Sequence, residues 1–325
     1  MRVELTDDPT AFVARDWTPL VEADPTGTFF HTPAYLKLWW EEFGSGSLRL
    51  AFAEDGGATI AACAFEVVAG ELRFLGGLDV TDHMGPVSLP GLEDAVAKEL
   101  MAALIGDQSW VRADLRSLTA TSPWLRALES ASGAQGLQVE RGEDGVGPTI
   151  ALPDSYAGYL AALPAKLRHE IQRKERRLVQ DGGQYRITLS GPESLATDMD
   201  HFLELHRSSP GPKGKFMHAG MEIFFRRLGE AFLPRHVFHL VFLEVAGDRP
   251  AGAVGFAYRN TFSLYNSAFD RGFGSLSPGM VLVADLIERA IGLGRDTFDL
   301  LKGDLEYKYR FGAVPTPIAK LVIER

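Results

Sequence analysis

The segment AGAVGFAYRNTFSLYNSAFDRGFGSLSPGMVLVADLIERAIGLGRDTFDLLKGDLEYKYRFG, residues 251–312, decides how this chain is read. Its patterning predicts two strands, AGAVGFAY and FSLYNSAF, then the loop RGFGSLSPG and a helix over 278–292. A strand TFDLL follows, and after it a polar segment carrying Asp304, Tyr307, Lys308 and Tyr309. Pro278 has no N–H to leave unsatisfied and presets the first helical turn, so the N–H groups of Gly279, Met280 and Val281 are expected to face a ligand. Small residues ahead of a helix N-terminus suit an anion, because free N–H groups and the helix dipole converge there. Polar groups just past the next strand stand where an α/β sheet does its chemistry. Strict alternation puts Tyr265, Ser267 and Phe269 on one face of their strand and Leu264, Asn266 and Ala268 on the other.

Working outward, the second half opens with Ser155 as the cap of a long helical stretch. It is interrupted at Pro164 and stopped at Gly182–Gly183. A strand YRITLS, a helix over 193–207, a basic Pro/Gly loop PGPKGK, a helix over 220–232 and a strand VFHLVFLEV lead into the segment above. PIAKLVIE is a final strand. The first half runs in a similar order. Thr32 and Pro33 start a helix that stops at Gly44; LRLAFAED and TIAACAFEVVAG form a hairpin about Asp55-Gly56-Gly57, and ELRFLGG is a third strand. A helix over 93–105, a strand WVRADLRSL, a helix capped by Ser122 and a strand GVGPTIALP complete it. A chain of 325 residues is long for one core. The simplest division lies near Pro153, giving domains 1–153 and 154–325 with a duplicated architecture.

The composition excludes several classes. One cysteine, Cys63 in a strand-like run, permits no internal disulfide and no Cys-based zinc site. A formal net charge of -10 argues against broad nucleic-acid binding, DNA included, without excluding one local basic face. No window approaches the apolar length of a membrane span, and no secretory leader is visible, so a cytoplasmic location is expected. The local basic face is LRHEIQRKERR, residues 167–177, in which Arg173, Arg176 and Arg177 share a helical face with His169. Such a face suits a nucleotide diphosphate, a tRNA acceptor arm or an anionic headgroup. It equally suits a solvated helix whose Glu170 and Glu175 pair with neighbouring bases. In the first half, LDVTDH brings Asp79, Asp82 and His83 into one loop, where carboxylates and an imidazole could orient an amine or simply close a polar turn. A metal site is not expected from three side chains in one loop.

The strand order and the motifs LYNSAFD, SPGMVL, FDLLKG and EYK resemble the GNAT acyltransferases. More narrowly they resemble the double-domain branch that holds the CelD-type acetyltransferases and the FemAB peptidyltransferases. FFHTPAYLKLWW, RFLGGLDVTDH and PTIALPDSYAGYLAALPAKLRHEIQRKERRL extend the resemblance over nearly the whole chain. It implies an α/β fold of two tandem GNAT-like domains, each a mixed, largely antiparallel twisted sheet flanked by helices. The second would hold a donor site that the first lacks. It implies N-acyl transfer, acetyl above all, from acetyl-CoA or another acyl-CoA, with no metal, to an amine bound between the domains. That amine would be a small molecule, a peptide or an amino sugar.

By the same resemblance, Gly274, Ser275, Ser277, Gly279, Met280 and Val281 would hold the donor's pyrophosphate, and Tyr307 would protonate the leaving thiolate. Lys308 would stabilise the transition state, as a lysine near that place does in FemAB-type relatives. A carboxylate, Asp304, suits acceptance of the amine's proton. Asp82, His83, Arg168, Arg173 and Tyr265 are the residues expected at the acceptor. The family's loop pattern is Arg/Gln-x-x-Gly-x-Gly/Ala. Gly279 matches its last position, while Gly274 and Ser277 replace the Arg/Gln and the first glycine. Two alternatives are an aminoacyl-tRNA-dependent ligase of FemAB type and a catalytically inert binding scaffold.

Overall fold

The computed structural model describes residues 1–325 and divides into two compact units, Met1–Gly147 with Thr316–Arg325, and Pro148–Pro315. The division thus falls inside a strand, ahead of Pro153. The last ten residues, assigned by sequence to the second domain, belong to the first unit.

The first unit contains β1 (Arg2–Thr6), α1 (Ala11–Ala14), α2 (Thr18–Ala23), α3 (Pro33–Phe43), β2 (Ser47–Asp55) and β3 (Ala58–Val68). It continues with β4 (Glu71–Phe74), β5 (Val87–Ser88), α4 (Glu93–Gly106), β6 (Arg112–Thr119), α5 (Pro123–Ala134) and most of β7 (Gln138–Ala151). Strand β1 has no counterpart among the sequence expectations. Its five residues show no strict alternation of exposure, and pairing with β2 defines it. The α3 start follows its sequence: Thr32 Oγ1 accepts from the Tyr35 N–H at 3.4 Å, and Pro33 occupies the first turn. The core packs α4 and α5 on the sheet, with Trp110, Trp124 and Phe65 fully buried.

The second unit contains the end of β7, α6 (Tyr156–Ala162), α7 (Ala165–Arg177), a π-helical turn Leu178–Gly182 and β8 (Tyr185–Leu189). Next come α8 (Leu195–Arg207), α9 (Pro212–Phe216), α10 (Ala219–Phe232), β9 (Phe238–Val245), β10 (Asp248–Tyr258) and β11 (Thr261–Phe269). A 3₁₀ turn Arg271–Leu276, α11 (Pro278–Gly292), β12 (Thr297–Asp299) and α12 (Glu306–Tyr309) complete it. From Val314 the chain runs as β13 (Val314–Glu324). The PGPKGK loop therefore holds a short helix, and the RGFGSLSPG loop is mostly 3₁₀.

Both units share one topology. In the first, β1, β2, β3 and β4 pair antiparallel in sequence, β4 pairs parallel with β6, and β6 pairs antiparallel with β13. In the second, β8, β9, β10 and β11 pair antiparallel, β11 pairs parallel with β12, and β12 pairs antiparallel with β7. The closing strand of the first sheet is thus the last of the chain, and β7 closes the second. In the second unit α6, α7 and α11 cover one sheet face around Val241, Ala253, Leu264 and Phe298. Helix α8 packs on β9, β10 and β11. No helix is long and apolar enough to cross a membrane.

Candidate active site

Strand β11 positions the region, because its two neighbours leave it at different points. It stays in parallel register with β12 only from Thr261 to Ser263, and β12 ends at Asp299. On its other side the register with β10 jumps from Val254–Asn266 to Gly255–Leu264, so Tyr265 is the inserted residue of a bulge. The bulge breaks the alternation that sequence reading assumed. Leu264 packs with α11, yet the Tyr265 ring stacks 5.4 Å from Phe225 of α10, and Asn266 hydrogen-bonds His206 of α8. Tyr265 and Asn266 therefore face the same side. Beyond them the phase is reversed, which turns Phe269 toward the α11 start, where a Cβ on Gly279 would meet its ring at 3.3 Å.

The turn into α11 is held from within and from α7. Asp270 Oδ1 accepts from the Gly272 N–H at 2.8 Å, and the Ser277 N–H donates to the Gly274 carbonyl at 3.1 Å. Ser277 caps the helix in a left-handed conformation (φ 55°), a region non-glycine residues enter at a cost of about 1–2 kcal/mol. Its carbonyl accepts from the N–H groups of Met280 and Val281 at 3.0 and 3.3 Å. Of the three donors expected to face a ligand, two are thus engaged inside the turn, and the Val281 side chain is buried in the core. Ser275 and Gly274 lie on the exposed 3₁₀ turn, with open space around Gly274.

Sequence reading did not connect Lys174 to this turn. Its ammonium donates to Ser277 Oγ at 2.7 Å, across 103 positions of sequence. Burial and the neighbouring Arg173, Arg177 and Arg310 depress the Lys174 pKa, while Glu170 opposes them. Lys174, with three arginines acting on its charge, thus meets a helix N-terminus that carries no acidic residue in its first turn. A Cβ on Gly182, in the π turn after α7, would meet Leu276 at 3.0 Å, so this glycine lets the basic helix seat against the loop. In the first unit the corresponding helix start, α4, carries Glu93 and Asp94 in its first turn, which disfavours an anion.

The rest of α7 divides by role. Arg168 directs its guanidinium at the carbonyls of Leu160, Ala161 and Leu163, 3.4–3.5 Å away, closing the C-terminal end of α6. Arg173 and Arg176 are exposed, and Arg177 pairs with Asp181 at 3.2 Å. The two glutamates pair outside the helix, Glu170 with Arg310 at 3.6 Å and Glu175 with the Tyr156 hydroxyl at 3.3 Å.

After β12 the chain makes a tight turn onto α12. Asp299 is buried and accepts from the Leu301 N–H at 2.8 Å. Lys308, 3 % exposed, sends its ammonium to the carbonyls of Leu301 and Lys302 at 2.7 and 3.1 Å. Tyr307 is half-buried against the α11 face of the core, and burial raises its pKa. Asp304 is exposed and accepts from the Tyr309 hydroxyl at 2.6 Å. Asp82 and His83 lie in the first unit, half-buried in the loop after β4. The Tyr35 hydroxyl ties that loop to α3 by donating to the Val80 carbonyl at 2.6 Å, and the His83 ring lies 6.0 Å from Phe30.

Residues 165–309 match the family model of the acetyltransferase (GNAT) domain. No curated protein matches the chain. Among solved structures, FemX aligns with a TM-score of 0.65 at 10 % identity, covering 98 % of this chain and 97 % of FemX. L-PGS from Bacillus licheniformis aligns at 0.61 and 13 %, covering 98 % of this chain and 92 % of that one. A GNAT-family acetyltransferase from Colwellia psychrerythraea aligns at 0.54 and 8 %, with both chains covered completely. Such identities speak for the fold. The chain thus has a GNAT-type α/β fold, and the stretch matching the acetyltransferase domain runs from the basic helix α7 through Tyr309.

Proposed function

We propose that the second unit is an N-acyltransferase that moves an acyl group, acetyl first, from a CoA thioester to an amine. The observation that carries this reading is the Lys174–Ser277 contact at the start of α11. It sets an ammonium, with Arg173, Arg177 and Arg310 as its charged neighbours, at a helix N-terminus that suits the pyrophosphate of a CoA ester. Gly274, Ser275, Ser277 and the Gly279 N–H supply the cradle. Met280 and Val281 serve it by building the turn.

The acceptor nitrogen attacks the thioester carbonyl carbon, and the C–S bond breaks as the amide forms. Tyr307 gives its proton to the departing thiolate. Its raised pKa keeps it protonated for that task. The nitrogen sheds its surplus proton to solvent, beside the carboxylate of Asp304. Lys308 acts as a positioning residue, since its ammonium fixes the turn that presents Tyr307. The acidic first turn of α4 supports a first unit that holds no donor of its own.

Calorimetric titration with acetyl-CoA tests this. Binding that weakens at least tenfold in Lys174→Ala supports the reading, and no binding to the wild type overturns it. A second reading, an aminoacyl-tRNA donor, is favoured by the exposed Arg173 and Arg176 on the basic helix α7, of which Arg173 neighbours Lys174. Activity abolished by ribonuclease, with no affinity for CoA, would establish it instead.

A further inference from the structure

Helix α8 buries an imidazole with an unfilled hydrogen-bonding position. His206, in its last turn, is 1 % exposed, with Phe216 and Phe202 ring centroids at 5.7 and 6.2 Å. The ring hydrogen-bonds Asn266, while its Nδ1 is buried with no partner. Buried polar atoms are satisfied nearly everywhere in proteins, so an open one beside a candidate active site marks a place for a ligand atom. Burial, followed by the nearby charge of Lys213, lowers the His206 pKa to about 4. The ring is therefore neutral near pH 7, with one N–H donor and one lone pair.

The surroundings say what would fit. The bulge sets Asn266 and Tyr265, both half-exposed, side by side on the α8 side of β11. From Asn266 the strand needs four residues, about 13 Å, to reach the loop before α11. An extended pantetheine arm bridges that distance. Over the imidazole lies the segment Ser208–Met217, whose Phe216 caps the ring. Gly211 (φ 66°) gives the segment a conformation other residues avoid, and Gly214 packs so tightly that a Cβ would lie 2.2 Å from the Ser209 carbonyl oxygen. The segment also brings Lys213 and Lys215, and neither is paired with a carboxylate.

We propose that His206, Asn266 and Tyr265 form the acceptor subsite and that Lys213 selects an amine that also carries a carboxylate. The Nε2–H of His206 donates to the Asn266 side-chain oxygen, and its Nδ1 lone pair accepts from the acceptor's N–H. The acceptor enters as Ser208–Met217 lifts Phe216 from the ring, and its carboxylate meets the Lys213 ammonium as the segment returns. This rests on the acyl-transfer reading above.

The test uses the full chain, acetyl-CoA and a panel of amines matched with and without a carboxylate, such as β-alanine against propylamine and amino acids and dipeptides against their amides. Thiol release is followed, and acetyl-CoA affinity is measured in parallel by calorimetry. The expected result is at least a tenfold preference in kcat/KM for the carboxylate-bearing partners, collapsing in Lys213→Ala. His206→Ala should raise the acceptor KM at least tenfold, His206→Gln should restore part of it, and acetyl-CoA affinity should stay unchanged in both. Equal use of both amine classes, acetylation of neither class by a protein that binds acetyl-CoA, or a preference that survives Lys213→Ala overturns the proposal. So does an acceptor KM unchanged in a folded His206→Gln protein. Failure of the wild type to bind acetyl-CoA overturns the donor reading instead, and the two failures are told apart by the calorimetry.

Discussion

The Lys308 ammonium nitrogen lies 2.7 Å from the carbonyl oxygen of Leu301, a residue held at a left-handed φ of 60°. Asp299 takes the N–H of the same residue, so the turn between β12 and α12 is gripped at both ends of one peptide residue. An ammonium placed this way stabilises the backbone that carries Tyr307.

Lys308→Met keeps most of the stem's packing and removes the charge. Two carbonyls then lose a charged donor, and the protein should be destabilised by about 2–3 kcal/mol. The chemical-denaturation midpoint reads this directly. Lys308→Ala should be worse, since it also leaves a cavity beside a side chain that is 3 % exposed.

Ser277 separates strain from contact. Ser277→Gly relieves the left-handed backbone, whereas Ser277→Ala keeps it. The glycine variant should be the more stable of the two by about 1 kcal/mol. Both lose the hydroxyl that holds Lys174, so both should bind acetyl-CoA about 3–10-fold more weakly, the equivalent of one ordinary hydrogen bond. Thermal unfolding and calorimetry together resolve the two effects.

Tyr307→Phe should lower kcat by about 100-fold with little change in acetyl-CoA affinity, the signature of a lost proton donor. Because burial raises the Tyr307 pKa above its ordinary 10.0, the acid stays protonated up to that pH. Wild-type kcat should therefore show no alkaline limb from this residue below pH 10. A limb near pH 8 that disappears in Tyr307→Phe would contradict the assignment.

Asp285, on α11, predicts a pH-dependent stability. Burial first, then Glu175 and Glu288, raise its pKa from 3.8 to about 7, against the opposing hydrogen bond from Tyr185. The folded chain holds a proton there between about pH 4 and 7 that the unfolded chain has released. Stability from this group is thus present below the unfolded value, declines across that window and levels off above 7. Asp285→Asn should remove the decline and stabilise the protein at pH 8 by on the order of 1–3 kcal/mol, with little effect at pH 4. Urea titrations at the two pH values check it.

Helix starts were legible because their signals are local. Thr32–Pro33, Ser122–Pro123 and Ser277–Pro278 each place an oxygen-bearing residue before a proline whose missing N–H suits a first turn. The order of most strands, β1 and β5 excepted, was legible for the same reason, as apolar runs separated by turns, and so were the GNAT motifs carried by consecutive residues. The bulge was not. Nothing in LYNSAF marks Tyr265 as the inserted residue, since the shift exists only in its pairing with β10.

Arg168 and Lys174 show the limit most plainly. They stand six positions apart on one basic helix, where Arg168 is expected at the acceptor and Lys174 has no expected role. One closes the end of α6 and the other reaches Ser277, 103 positions away. The last strand likewise completes the first sheet, although it follows the second unit in the chain. The sequence by itself determined the longer helices and most strands, their order along the chain and the chemical types gathered between 251 and 312. Strands β1 and β5 and the short helices α1, α2 and α9 emerged only in the fold. Tertiary structure alone decided which cation meets the turn before α11, which lysine becomes a strut and which strand closes each sheet. Those outcomes depend on hydrogen bonds and packing between segments far apart in the chain, whose geometry exists only once the sheet has formed.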